Sequence, residues 1–225
     1  MMDERKKVVA IDGPAGAGKS TVSKIVATRL GYTYIDTGAM YRAVALKVLE
    51  SKLPLTEEAI IEAARDVEID QQSADGVTKT FLDGRDVSKE IRTPEVSKIV
   101  SPVAKVGFVR QRLTELQRKM ATRGGVLMDG RDIGTVVLPN ADVKIFLTAS
   151  VTERARRRFE ELKAKGFDVN LSEIEKDIAT RDKIDSEREI APLKQADDAI
   201  LLDTTALTIE EVTAKIIELI DGGRS

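Results

Sequence analysis

Residues 13–20 read Gly13-Pro14-Ala15-Gly16-Ala17-Gly18-Lys19-Ser20, and this string constrains the chain more than any other in it. It satisfies G-x-x-x-x-G-K-[ST]. It sits between an apolar run, Val8 to Asp12, and a segment with Val22, Ile25 and Val26 at helical spacing. A strand that turns through glycines into a helix can wrap a phosphate, because the curled backbone points its N–H groups inward. The helix N-terminus adds favourable partial charge. Lys19 has the reach for β- and γ-phosphates, and the Ser20 hydroxyl is a ligand for Mg²⁺. Residues 13 to 21, closing with Thr21, therefore read as a cradle for ATP with Mg²⁺.

The rest of the chain has the alternation such a loop needs. Further short apolar runs lie at Tyr34 to Asp36, Val126 to Asp129, Val143 to Leu147 and Ala199 to Asp203. Runs apolar on both faces suit a parallel sheet covered by helices. The expected helices are Gly18 to Leu30, stopped by Gly31, and Ala39 to Leu49. Ser150-x-x-Glu153 predicts a capping box opening a helix that runs to Gly166. Thr208-x-x-Glu211 predicts a second box, with Leu207 and Val212 as its hydrophobic staple. One stretch departs from the alternation. From Val67 to Val87, Asp75-Gly76 and Asp83-Gly84 separate strand-like runs, which predicts about three antiparallel strands. After Pro94 a long helix is expected to about Ala121, bent at Pro102. The expected fold is α/β: a five-stranded parallel sheet flanked by helices, with a small antiparallel hairpin insert and a short lid. The tail from Asp221 is expected to fray.

Composition removes several classes of function. Lys plus Arg total 36 against 38 Asp plus Glu, a net charge of -2, so the chain is no bulk binder of nucleic acid. It has no cysteine and no histidine, which excludes thiol chemistry, disulfides and every histidine acid–base mechanism. No apolar run exceeds about four residues, against the roughly 18 of a membrane span. A cytoplasmic protein without membrane or nucleic-acid partners is expected. Scattered arginines in a near-neutral chain can instead converge on one small anion.

The residues after the third apolar run narrow the receiver of the phosphoryl group. The Asn-Lys-x-Asp and Asp-x-x-Gly strings of a guanine-nucleotide switch do not occur. A mechanical ATPase would place a Glu after the strand's Asp, whereas here the run continues Asp129-Gly-Arg-Asp132. Arginine there favours transfer to another phosphate over hydrolysis. Together with Asp36-Thr-Gly-Ala-Met-Tyr-Arg42, Asp129-Gly-Arg-Asp-Ile-Gly-Thr135 and Arg181-Asp-Lys-Ile-Asp-Ser-Glu-Arg188, the chain resembles the bacterial cytidylate kinases over about residues 7 to 220. The Asp-Gly-Phe-Pro-Arg string of adenylate-type kinases is absent.

That resemblance implies phosphoryl transfer from ATP to CMP or dCMP by a monomer. It implies one domain with a monophosphate-binding region at about 38–122, an insert at about 66–90 and a lid at about 151–170. By resemblance, Arg42, Arg131 and Arg188 hold the acceptor phosphate, and Thr37 contacts that side. Ser101 and Asp132 accept from the cytosine amine while Arg110 donates to the ring acceptors. Arg181 and Asp185 contact the sugar. Arg154, Arg157 or Arg158 closes from the lid, with Arg157 placed beside Lys19, Arg131 and Arg188 in the catalytic set. Asp129 holds Mg²⁺ through water. The rivals are a small kinase for UMP, dTMP or a shikimate-like acceptor, and a regulatory ATPase.

Overall fold

The computed structural model describes residues 6–74, 76–122, 124–164 and 166–222. Asp75 of the first expected hairpin turn and the last three residues of the tail lie outside them. The core sheet holds β1 (Val8–Asp12), β2 (Thr33–Asp36), β6 (Val126–Gly130), β7 (Val143–Thr148) and β8 (Ile200–Asp203) in the order β2-β6-β1-β7-β8, all parallel. Alternation along the strands feeds two cores. Val9, Ile11, Leu127, Ile145 and Leu147 pack under α1 (Lys19–Leu30) and α8 (Ile209–Asp221). Ala10, Ile35, Val126 and Met128 face the other way, under α2 (Thr37–Ser51) and the helices after it. A sheet buried on both faces needs apolar residues at successive positions, which is why the runs read as continuous.

Between β2 and β6 the chain adds α3 (Glu57–Ala64), an antiparallel sheet of β3 (Ile69–Ala74), β4 (Val77–Leu82) and β5 (Arg85–Asp86), and two further helices. The expected hairpin turn at Asp83-Gly84 is present, with both residues left-handed at φ 51° and 80°. The base of this insert is built into the main core through Ile69, Leu82 and Val87.

Three local expectations are corrected. The helix after Pro94 is two helices, α4 (Pro94–Lys105) and α5 (Gly107–Ala121). The break falls at Val106, extended at φ -69° and ψ 119°, and not at Pro102, which α4 accommodates in its last turn. The Ser150 box forms by half: Ser150 Oγ accepts from Glu153 N at 3.2 Å, but the Glu153 carboxylate turns to Arg156 and Arg157. Charge-assisted bonds to two guanidiniums outcompete one backbone amide. The Ser150 amide donates instead to Thr205 Oγ1. α3 was not anticipated, although Thr56 caps it by accepting from Ala59 N. The Thr208 box is complete, and Leu207 packs with Val212.

The lid stretch is the first half of a helical hairpin, α6 (Val151–Ala164) and α7 (Leu171–Glu187), around its own small cluster of Ala155, Ile174 and Ile178. Every loop leaving the C-terminal end of a core strand opens toward this hairpin's side of the sheet, where open α/β sheets take ligands.

Candidate active site

The glycine cradle leaves the central strand β1. Gly13 has φ +148°, and a Cβ there would lie 1.9 Å from the Leu147 carbonyl oxygen, so no other residue fits against β7. Gly16 and Gly18 are left-handed at φ 76° and 89°. Lys19 is buried and donates to the carbonyls of Gly13 and Pro14 at 2.7 and 2.8 Å. Burial, and then the neighbouring Arg131, push its ammonium well below the usual lysine range. Ser20 Oγ donates to Asp129 Oδ2 at 2.8 Å, and Tyr34 OH donates to Asp129 Oδ1 at 2.8 Å. Thr21, on the first turn of α1, faces solvent.

Asp129 at the end of β6 is buried, and burial first, then the Asp36 charge, raises its carboxyl to about 6. Ser20 and Asp129 present hard oxygen donors beside the phosphate loop. No group of three or more carboxylates among the described residues forms a metal cage. The Ser20 and Asp129 oxygens are of the kind that could hold Mg²⁺, which keeps several waters and binds through one or two protein oxygens and substrate phosphates.

The residues expected on the acceptor side gather around the ends of β2 and β6. Thr37 is buried, with its hydroxyl donating to the Asp129 carbonyl at 2.7 Å, which ties α2 to β6. Arg42, one turn further along α2, donates to Ser97 Oγ at 2.8 Å. Burial lowers its guanidinium to about 10. Arg131 Nε donates to Asp185 Oδ2 at 2.9 Å, and Arg181 lies 4.0 Å from the same oxygen. Burial opposes ionisation of Asp185, yet Arg131 and Arg181 hold its carboxyl below the usual range. Arg181 is lowered to about 9 by burial and by Arg131 and Arg42. Arg110 pairs with Asp132 at 2.5 Å, and Arg188 approaches the other Asp132 oxygen at 3.6 Å. The Arg110 cation also lies 5.4 Å from the Tyr41 ring centroid. Ser101, half-buried on α4, is joined to this group by no hydrogen bond. Arg181 Nε and Arg188 Nη2 are buried without a hydrogen-bond partner. Buried guanidinium donors left unpaired cost free energy that an anion would recover.

The three lid arginines separate. Arg154 is buried and structural, donating to the carbonyls of Ala149 and Ala15 and pairing with Asp182 at 2.7 Å. Arg157 is held by Glu153 and by the Thr204 carbonyl beyond β8, 3.8 Å from where a Gly18 Cβ would stand. Arg158 pairs with Glu161 at 2.8 Å, and after burial and nearer charges it adds a lesser positive charge to the surroundings of Arg42 and Arg181.

Two participants, Asp12 and Tyr34, escaped the sequence reading, and a third, Asp36, stood there only as a strand end heading the Asp36–Arg42 string. Asp12 accepts from Ile133 N and Gly134 N at 2.8 and 2.7 Å, fixing the π-helical turn after Asp132. Tyr34 supports Asp129. Asp36 caps α2 through Ala39 N and pairs with Arg92 at 3.2 Å. The strand-ending aspartates were the available signal, but sequence does not tell which carboxylate turns inward.

The phosphate loop and the buried arginine cluster thus meet at the end of β6, where Asp129 bonds Ser20 and Arg131 and Asp132 join the ion-paired groups. A family model described as cytidylate kinase matches residues 9–222. The chain belongs to the cytidylate kinase family. A cytidylate kinase of Bacillus cereus (strain ATCC 10987 / NRS 248) is 55% identical over 222 residues, 98% of each chain. One of Bacillus thuringiensis (strain Al Hakam) is also 55% identical over 98% of each chain. Among solved structures, an uncharacterized protein from Eubacterium ventriosum ATCC 27560 superposes with TM-score 0.53 at 14% identity, covering 96% of this chain and 99% of its own. That likeness speaks to the fold alone. No helix among the described residues is long and apolar enough to cross a membrane.

Proposed function

We propose that this member of the cytidylate kinase family transfers the γ-phosphoryl group of ATP to CMP or dCMP, giving ADP and CDP or dCDP. The observation that carries the reading is the Arg110–Asp132–Arg188 group and the Arg131–Asp185–Arg181 group, joined through β6 to Asp129 and its Ser20 partner on the phosphate loop. The acceptor is a phosphate whose second pKa is near 6, so at neutral pH it is already a nucleophilic anion. No general base is required, which fits a chain without histidine. The work is to bring two anions together in line and stabilise the charge between them.

In this reading Lys19 leaves the Gly13 and Pro14 carbonyls for the β- and γ-phosphates. Arg42, Arg131 and Arg188 grip the acceptor phosphate, where a planar fork matches two oxygens. Arg157 or Arg158 closes from α6 on the transferring group, Arg157 starting from its bond to the Thr204 carbonyl. Asp132 and Ser101 accept from the cytosine amine and Arg110 donates to the ring, with Arg181 and Asp185 at the sugar. Ser20, and Asp129 through water, would hold Mg²⁺, whose contribution is to offset phosphate charge. A cytoplasmic monomer with residues 38–122 as its acceptor-binding region and 151–170 in its lid completes the proposal.

The test is ADP formation from ATP and Mg²⁺ with each nucleoside monophosphate in turn. Strong signals with CMP and dCMP, weak with UMP and near zero with AMP, GMP and dTMP are expected. Preference for another acceptor would overturn the cytosine roles, and phosphate release without any acceptor would overturn the kinase reading.

A further inference from the structure

Gln71, in the middle of β3, takes no part in the site just described. β3 pairs only with β4 in its own small sheet. Its side chain nevertheless reaches the core sheet. The Asp36 backbone N–H donates to Gln71 Oε1 at 2.9 Å, and Gln71 Nε2 donates to the Asp36 carbonyl at 2.8 Å. A primary amide has the same donor and acceptor as a peptide group, so this pair imitates one rung of a strand ladder on the free edge of β2. Two residues on, on the same face of β3, Ser73 Oγ donates to the Tyr34 carbonyl at 3.2 Å. The cross-strand partners on that face are Thr80 and Thr78. Beside these bonds a cleft of about 260 Å³ is lined in part by Lys24 and Thr28 of α1, by Tyr34, and by Ser73 and Gly76 of the hairpin.

Asp36 is the point where this rung matters. Its carboxylate caps α2, which carries Thr37 and Arg42, and pairs with Arg92 on the turn after the insert. Strand β3 enters the insert and Arg92 leaves it, so both ends converge on one residue at the mouth of the acceptor side.

We infer that Gln71 is a positioning residue for the acceptor nucleotide: its amide latches the insert to Asp36 and so sets where the α2 N-terminus and Arg92 stand when the monophosphate binds. The inference rests on the proposed acceptor role of this region. The phosphate loop leaves a different strand, so the latch acts on the acceptor and not on ATP.

The test is Gln71→Met, which keeps chain length and removes both hydrogen-bonding atoms, with Ser73→Ala as a second variant away from Asp36. In the full-length protein, Gln71→Met raises the KM for CMP by about tenfold, the scale of one to two lost hydrogen bonds. The KM for ATP and kcat stay within about twofold. Ser73→Ala shifts the KM for CMP in the same direction by less. Without any substrate, amide exchange at the Asp36 N–H accelerates in Gln71→Met. An unchanged KM for CMP, or equal losses for both substrates and kcat, would overturn the positioning role. Unchanged exchange at Asp36 would overturn the latch itself. If the wild-type chain fails to phosphorylate CMP, the acceptor assignment falls, while the exchange result still decides the latch.

Discussion

Arg110, Asp132 and Arg188 form a buried set whose charges depend on one another, because a carboxylate between two guanidiniums compensates both. Removing the middle member leaves buried cations without a partner, a loss of about 3–5 kcal/mol in comparable sites. Asp132→Ala is accordingly expected to cut kcat/KM for CMP by at least about a hundredfold. ATP affinity, measured by direct titration, should stay within about threefold, and equal loss on both would contradict the assignment. Asp12 makes a second case. Burial raises its carboxyl from 3.8 to about 6, so the folded state holds a proton that the unfolded chain has released between those values. Stability from this group therefore falls as pH rises through that window, by about 1 kcal/mol per pH unit at most. In Asp12→Asn, urea unfolding between about pH 4.5 and 6 should show a shallower fall than in wild type. A parallel slope would refute the shift. The strings holding residues 13 to 20 and Arg131, Asp132, Arg181 and Asp185 stood out in the sequence because they are particular, and the structure gathers the latter four into two buried ion-paired groups. The Tyr34 and Asp12 supports did not stand out, since contacts across 95 and 121 residues leave no local pattern.

At the scale of elements, local chemistry was readable where it had no competitor. Thr208 faces solvent at the start of α8, and Glu211 finds nothing better than its cap, so the box closes. Thr208→Ala should lower stability by about 1 kcal/mol in urea unfolding without affecting CMP turnover. A loss well below that range would mean the cap is replaceable. Ser150 opens α6 with the same spelling, but Arg156 and Arg157 draw Glu153 away. The α4–α5 junction shows the converse. Proline predicted a bend at 102, and tertiary packing instead buries an extended Val106 four residues on. The parallel strands were found as apolar runs, while their order was not, because order is decided by which faces pack and not by any one run.

At the scale of the molecule, the cations proposed to act on one substrate pair come from separate elements. Lys19 opens α1 and Arg42 lies on α2, both packed on the core sheet, while Arg157 and Arg158 lie on the α6–α7 hairpin, whose small cluster is its own. Binding both nucleotides should draw the hairpin in, and limited proteolysis around residues 165–170 should slow with ATP analogue plus CMP but much less with either alone. Equal cutting in all states would argue for a static lid.

The amide rung at Asp36 has a consequence for solution behaviour as well. A core sheet ends in two borders, and an unpaired border invites pairing with another chain. At β2 that invitation is withdrawn by glutamine and serine side chains, so the insert acts as a stopper for the sheet. A chain carrying Gln71→Met and Ser73→Ala together, which frees this border while leaving the buried base of the insert intact, is expected to self-associate, which light scattering would show as growing mass with concentration. If its mass matches that of the unaltered chain at every concentration, the border is protected by something other than these two side chains.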